Sequence, residues 1–164
     1  MSESRIPRPT ARVLVLDEEG RVLLILAADG EYRGSGEPVW LTPGGGLDEG
    51  ETYEEAALRE LREEVGLDGV ELGPWVWLRR LPYALSDGVP REKHERYFVC
   101  RAEHFEVGAV SATVLDLEAV GGFRWWSVGE IEASDERFAP RDLGRLLREL
   151  RDGHAGQEPR NVGL

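Results

Sequence analysis

Three glutamates, Glu60, Glu63 and Glu64, crowd into one short stretch that reads as helix. Each residue of an α-helix advances the side chain by ~100°. Taking Glu60 as zero, Glu63 points to about −60° and Glu64 to about +40°, so all three share a sector roughly 100° wide. Like charges at i,i+3 and i,i+4 cost roughly a few tenths of a kcal/mol per pair on a bare helix. Such a cluster calls for something positive to fill it. Carboxylate oxygens suit Mg²⁺, Mn²⁺ or Ca²⁺, and suit Zn²⁺ poorly where no His or Cys joins them. The competing reading is a solvated acidic face, partly neutralised by Arg59 and Arg62.

The surrounding spacing favours the cation. Gly45-Gly46-Leu47-Asp48-Glu49-Gly50-Glu51 leads, after seven residues, to Arg59-Glu60-Leu61-Arg62-Glu63-Glu64-Val65-Gly66-Leu67. Written as a pattern this is G-x5-E-x7-R-E-U-x-E-E-x-G-U, U being a bulky aliphatic. With average residue usage, chance agreement at a given start is on the order of one in a billion. The stretch Gly45–Leu67 resembles the signature of the Nudix hydrolases and matches it at every fixed position.

The resemblance implies an enzyme that cleaves the diphosphate of a nucleoside diphosphate linked to another moiety, using water activated by Mg²⁺ or Mn²⁺. It implies that Glu60 and Glu64 ligate the cation and that Glu63 serves a second ion or acts through water. The carbonyl before the first signature glycine, here Gly44, joins them, while Arg59 and Glu51 fix the carboxylates. Glu60 or Glu63 is then the favoured general base, with Glu118, on a later loop that also offers Asp116, as the outside candidate. Pro82, 15 positions after Leu67, resembles a marker for ADP-ribose, and the adjacent Tyr83 one for dinucleoside polyphosphates. ADP-ribose stands slightly ahead, and nucleoside triphosphates remain open. Two rival readings are a Nudix-like module that senses a nucleotide without cleaving it, and a plain acidic domain holding structural Ca²⁺. Many members of that family pair, so a homodimer is an expectation too.

These groups must be held by the chain around them. Arg12–Leu16 and Arg21–Leu26 read as strands joined by a turn at Asp17–Gly20, and Val39–Leu41 as a short strand running into Pro43-Gly44-Gly45-Gly46. Consecutive glycines let the backbone pass close to the helix, where a side chain would collide. Thr52, with Glu55 three residues on, opens a helix over 52–65 that Gly66 ends. Strands are expected at Val70–Leu72 and Trp75–Leu81, then a loop from Pro82 to Lys93, a long strand over His94–Phe105, a loop over 106–119, and a strand at Phe123–Trp126. Ser127 with Glu130 resembles a capping box. Leu143, Leu146, Leu147 and Leu150 form the apolar stripe of a last helix. Strands mixed with separated helices imply an α/β (α+β) class. The Nudix resemblance sharpens this to an α/β/α sandwich with a mixed, partly curled sheet. A single domain is expected over 1–164, its core at about 10–150, with 1–9 and 152–164 as loose termini.

Composition sets outer bounds. The chain has 164 residues, 41% hydrophobic and 32% charged, and a net charge of −12. Such a surface repels nucleic-acid backbones, so a small-molecule nucleotide rather than nucleic acid is the expected partner, met through cations or a local basic patch. Arg33, Arg79, Arg80, Arg91 and Arg96 are candidates for that patch. The tryptophans and Tyr97 read mostly as core. The one cysteine, Cys100, excludes an intrachain disulfide and also reads as core. The absence of a long apolar run or a signal-like N-terminus makes a cytoplasmic, membrane-free protein the default.

Overall fold

The computed structural model describes residues 4–28, 37–107, 119–153 and 158–163. Its centre is a long parallel pair. Strand β1 (Ile6–Leu16) runs beside β6 (Pro90–Arg101), in register from Ile6↔Arg91 to Leu16↔Arg101. β1 carries Val13-Leu14-Val15-Leu16, an unbroken aliphatic run rather than an alternation, because both of its faces are covered. Ala11, Val13 and Val15 pack with Phe98 and Cys100 under helix α1 (Tyr53–Glu60). Leu14 and Leu16 pack with Trp40, Trp77, Tyr97 and Trp126 on the other side. That second face lies under α2 (Val128–Ala133) and α3 (Leu143–Arg151), which supply Ile131, Leu143, Leu146 and Leu147.

The remaining strands are β2 (Val22–Ala28), β3 (Pro38–Leu41), β4 (Gly44–Gly46), β5 (Trp75–Ala84), β7 (Ala119–Trp126), β8 (Phe138–Ala139) and β9 (Arg160–Asn161). The sheet path runs β8-β3-β2-β1-β6-β5-β9, with β4 branching from β1 and β7 from β2. The parallel pairs β1·β6, β3·β8 and β5·β9 sit among antiparallel ones. A mixed sheet between helices is therefore what the structure contains, as the family resemblance implied. Ser127 and Glu130 form the reciprocal capping box, and Thr52 accepts from the Glu55 amide.

Several boundaries differ from expectation. Residues 1–9 do not all form a loose terminus: β1 begins at Ile6. Pro7 and Pro9 are tolerated because one flank of that segment lacks a full partner strand. The Pro9 carbonyl faces the β4 flank, where it accepts from the Leu47 amide, so the missing N–H disturbs no bond to β6. Val70–Leu72 forms no strand; instead Gly73 donates to Val99 O and Val99 donates to Pro74 O. The expected loop from Pro82 to Lys93 is mostly strand. β5 and β6 make a long hairpin closed by a turn in which Asp87 accepts from the Val89 amide. Arg160–Asn161, assigned to the frayed tail, pairs with Trp77 and Leu78. The signature helix is not one α-helix. After Glu60 it widens into a π-helical turn, Leu61–Val65, closed by Gly66 in the left-handed region at φ 72°. No helix among the described residues is long and apolar enough to cross a membrane.

Candidate active site

Glu60 precedes the π turn, and Glu63 and Glu64 lie within it. Glu64 is buried, at 5% exposure, and the Glu63 side chain is 45% exposed. Glu64 lies against β4, where its Oε2 accepts from the Gly44 amide at 3.0 Å. Gly44 itself is pressed onto β1: a Cβ there would sit 2.0 Å from Ala11 O, and its φ is 148°. Gly45 backs onto Glu60, whose Oε1 would lie 2.4 Å from a Cβ at that position. The consecutive glycines thus bring backbone and two carboxylates into one crevice, which no side-chain-bearing residues could do.

Arg59 ties the cluster together. Its Nε and Nη2 donate to both oxygens of Glu51, at 2.8 and 2.9 Å. Nη1 bridges Glu60 Oε1 at 3.0 Å and Glu63 Oε2 at 3.1 Å, and Nη2 also reaches Gly46 O. The fork holds the Glu51 carboxyl down at about 2. Glu64 moves the opposite way. Burial, then the neighbouring Glu60 charge, pushes it up to about 8, against the pull of the Gly44 amide and Arg12.

A carboxylate in that state is short of positive charge. The donors around it are hard oxygens, and the glycine backbone leaves space that a Cβ would fill. Glu60, Glu63, Glu64 and the Gly44 carbonyl therefore fit a hard divalent cation in type. Among the described residues no three acidic, His or Cys side chains converge tightly enough to coordinate an ion as they stand. Arg59 Nη1 takes up the place between Glu60 and Glu63.

The crevice opens into a cleft of ≈ 490 Å³. Gly44–Gly46, Arg59, Glu60, Glu63 and Glu64 line one wall. Arg8, Arg12, Tyr83 and Lys93 line another. Sequence reasoning missed Arg8, Arg12 and Lys93, because they come from β1 and β6, far from the signature; only strand pairing brings them here. Of the arginines proposed for phosphate, none lines this cleft among the described residues. Arg79 is buried against Glu95, and Arg91 is paired with Asp87. Arg96 lies between the Tyr53 and Trp75 rings, at 4.0 and 4.1 Å, and Arg80 sits near Glu92. Arg33 and the alternative bases Asp116 and Glu118 lie outside the described residues. Tyr83 reaches the cleft beneath Lys93, whereas its neighbour Pro82 does not. Trp40, Trp77, Trp126, Tyr97 and Cys100 are core.

The family model for the NUDIX domain matches residues 6–148. An RNA pyrophosphohydrolase from Agrobacterium fabrum is 35% identical over 146 residues, covering 81% of this chain and 83% of that protein. Another RNA pyrophosphohydrolase, from Wolbachia pipientis, is 39% identical over 72 residues. That match spans 44% of this chain and 41% of the relative's length. Among solved structures, an ADP-ribose pyrophosphatase from Streptococcus suis superposes with a TM-score of 0.59 at 19% identity, over 94% of this chain and 98% of that one. At that identity the likeness is one of fold.

Proposed function

The chain belongs to the Nudix family, and on that footing we propose that it is a metal-dependent pyrophosphohydrolase acting on the diphosphate of a nucleotide derivative. One observation carries the reading: buried Glu64 stands beside Glu60, behind glycines that admit no side chain, at the end of a cleft bordered by cations. Glu60 and Glu64, with the Gly44 carbonyl, would hold the cation, Mg²⁺ or Mn²⁺. A divalent ion bound there offsets charge on the diphosphate and makes water more acidic.

The protein's own groups do the rest. Arg59, locked by Glu51, sets the angles of Glu60 and Glu63. Glu63, exposed to the cleft, accepts the proton of the attacking water as its oxygen bonds to phosphorus and the bridging P–O bond breaks. Arg8 and Lys93 on the opposite wall attract the anionic substrate into an otherwise acidic protein. Much of the rate then comes from alignment and charge placement.

Two substrate classes compete. Tyr83 in the cleft fits a free dinucleotide or nucleotide sugar, its ring a platform for a base. The names of the relatives favour the 5′ end of RNA instead. The net charge of −12 opposes duplex binding, but a single 5′ end with its phosphates in a cationic cleft is a smaller demand. The test is a panel of ADP-ribose, nucleoside triphosphates, dinucleoside polyphosphates and a 5′-triphosphorylated oligoribonucleotide, each with and without Mn²⁺. Metal-dependent turnover of one class supports the reading and selects the substrate. Tight binding with no turnover under any metal would establish the sensor instead. A Ca²⁺-induced thermal shift with no response to nucleotides would establish the structural-ion alternative.

A further inference from the structure

Beneath the cleft lies a buried charge network that the proposed chemistry does not use. Glu95 is 1% exposed, Arg79 2% and Arg12 4%. Glu95 Oε2 accepts from Arg79 Nε at 2.7 Å and from the Tyr97 hydroxyl at 3.0 Å. Its Oε1 accepts from Arg12 Nε at 3.3 Å. Arg12 Nη1 in turn donates to the Thr42 carbonyl at 3.2 Å. Burial by itself would raise the Glu95 carboxyl, yet Arg79 and Arg12 hold it at about 2.

Internal ion pairs are an inefficient way to stabilise a core. Desolvation consumes most of the Coulomb gain, and apolar replacements are often as stable. What this network does that a hydrophobic cluster could not is reach a specific backbone atom. Thr42 opens the corner that delivers Gly44. Pro43 follows it and restricts both residues. The Pro43 carbonyl is fixed by Val13 N–H at 2.9 Å, Arg12 is in register with Gly44 across β1·β4, and the Gly44 amide meets Glu64.

We propose that Arg12, oriented by Glu95, is a positioning residue that fixes the Thr42–Gly44 corner and so presents the Gly44 backbone and Glu64 in the geometry required for a divalent cation. The proposal rests on the reading of this site as a metal site, and it names residues from β1 and β6 that lie outside the signature.

The test uses Mn²⁺ alone, with affinity measured by titration calorimetry and no nucleotide present. Arg12→Lys keeps a positive charge but loses the fork, and Glu95→Gln keeps the shape but loses the charge. Tyr97→Phe is the control, since it removes one hydrogen bond to the same carboxylate while keeping both charges and the Arg12–Thr42 bond. We expect Arg12→Lys and Glu95→Gln to weaken Mn²⁺ about 10-fold or more, with Tyr97→Phe within twofold of the parent even where its Tm falls. With any substrate that is turned over, kcat falls in Arg12→Lys while KM stays within about threefold. Folded variants with parental Mn²⁺ affinity would overturn the proposal. So would a Tyr97→Phe loss that tracks its drop in Tm, a KM-only effect of Arg12→Lys, or failure of both charged-network variants to fold. A parent that binds Mn²⁺ but hydrolyses nothing defeats the enzyme reading and leaves the affinity comparison to decide this one. A parent that binds no Mn²⁺ defeats both.

Discussion

Gly45 lies so close to Glu60 that a methyl group on Gly45 would meet the carboxylate oxygen at 2.4 Å. Its neighbour Gly44 meets backbone instead, with Ala11 O at 2.0 Å from the same hypothetical atom. The two glycines therefore fail differently. In Gly45→Ala the far end of a flexible side chain yields, so the protein folds and melts within a few degrees of the parent, while the displaced Glu60 lowers kcat/KM by about 10²-fold or more. In Gly44→Ala nothing nearby yields. A positive-φ penalty of about 1–2 kcal/mol adds to overpacking of about 1–3 kcal/mol. Thermal melts beside activity assays separate the cases, and equal melting of the two variants would contradict the argument.

Arg59→Lys tests the fork. Lysine keeps the charge but cannot span both oxygens of Glu51 while bridging Glu60 and Glu63. Activity falls about 10- to 100-fold. Stability changes little, since a partly exposed ion pair contributes roughly 0.2–1 kcal/mol. A large loss of Tm with modest loss of kcat would mean that Arg59 serves the fold rather than the site.

The electrostatic contrast between the walls of the cleft gives a third expectation. Arg8→Ala and Lys93→Ala remove cations that only pairing of β1 with β6 and β4 brings opposite the glutamates. KM for an anionic nucleotide rises several-fold in each, more at low salt than at high, with kcat nearly unchanged. Steady-state kinetics at two ionic strengths would show it. A fall in kcat at constant KM would place these residues in the chemistry instead.

How much of this could be read from the chain depends on range. The Thr52 cap, the Gly66 stop and the Ser127–Glu130 box are local patterns, and each is present where its spacing indicated. The α/β/α layering followed from the family resemblance, and Val13-Leu14-Val15-Leu16, a run apolar on both faces, is where the structure expresses it. The π turn was not legible, because 100° per residue was assumed throughout and no residue type marks the wider turn. Buried Glu64 and exposed Glu63 both lie within it. The β5–β6 hairpin was shortened because Pro90 and the charged run Arg91-Glu92-Lys93 look like loop, though they pair with β1 or β5. Arg12 and Glu95 are 83 residues apart, so their bond could not be found by any local rule.

Glu95 also predicts a response to acid. Its carboxyl titrates at about 2 in the fold against an ordinary 4.5. Between those values the unfolded chain binds a proton that the native protein refuses, so stability falls as pH drops through that window, by about 1.4 kcal/mol per unit for a full proton. Above pH 4.5 the contribution is complete. Glu95→Gln, though less stable at neutral pH, loses less on acidification from 4.5 to 2. Denaturant melts at stepped pH would reveal the shallower slope; parallel curves would locate the acid sensitivity elsewhere.

Glu64 carries the opposite sign. Burial and Glu60 raise its carboxyl to about 8, so the native protein keeps a proton that the unfolded chain releases near 4.5. Without metal, stability therefore falls as pH rises from about 4.5 to about 8, the reverse of the Glu95 effect in the acid range. Glu64→Gln abolishes that fall, because its neutral amide has nothing to titrate. A cation held by Glu64 replaces the proton, so Mn²⁺ affinity climbs with pH through the same window and levels off above it. Thermal melts in chelator and in Mn²⁺ at pH 6 and pH 8 test both halves. The metal-induced rise in Tm is larger at pH 8, and Glu64→Gln removes most of it. A rise of equal size at both pH values would mean that the ion is held by groups already ionised, such as Glu51, and not by the buried carboxylate.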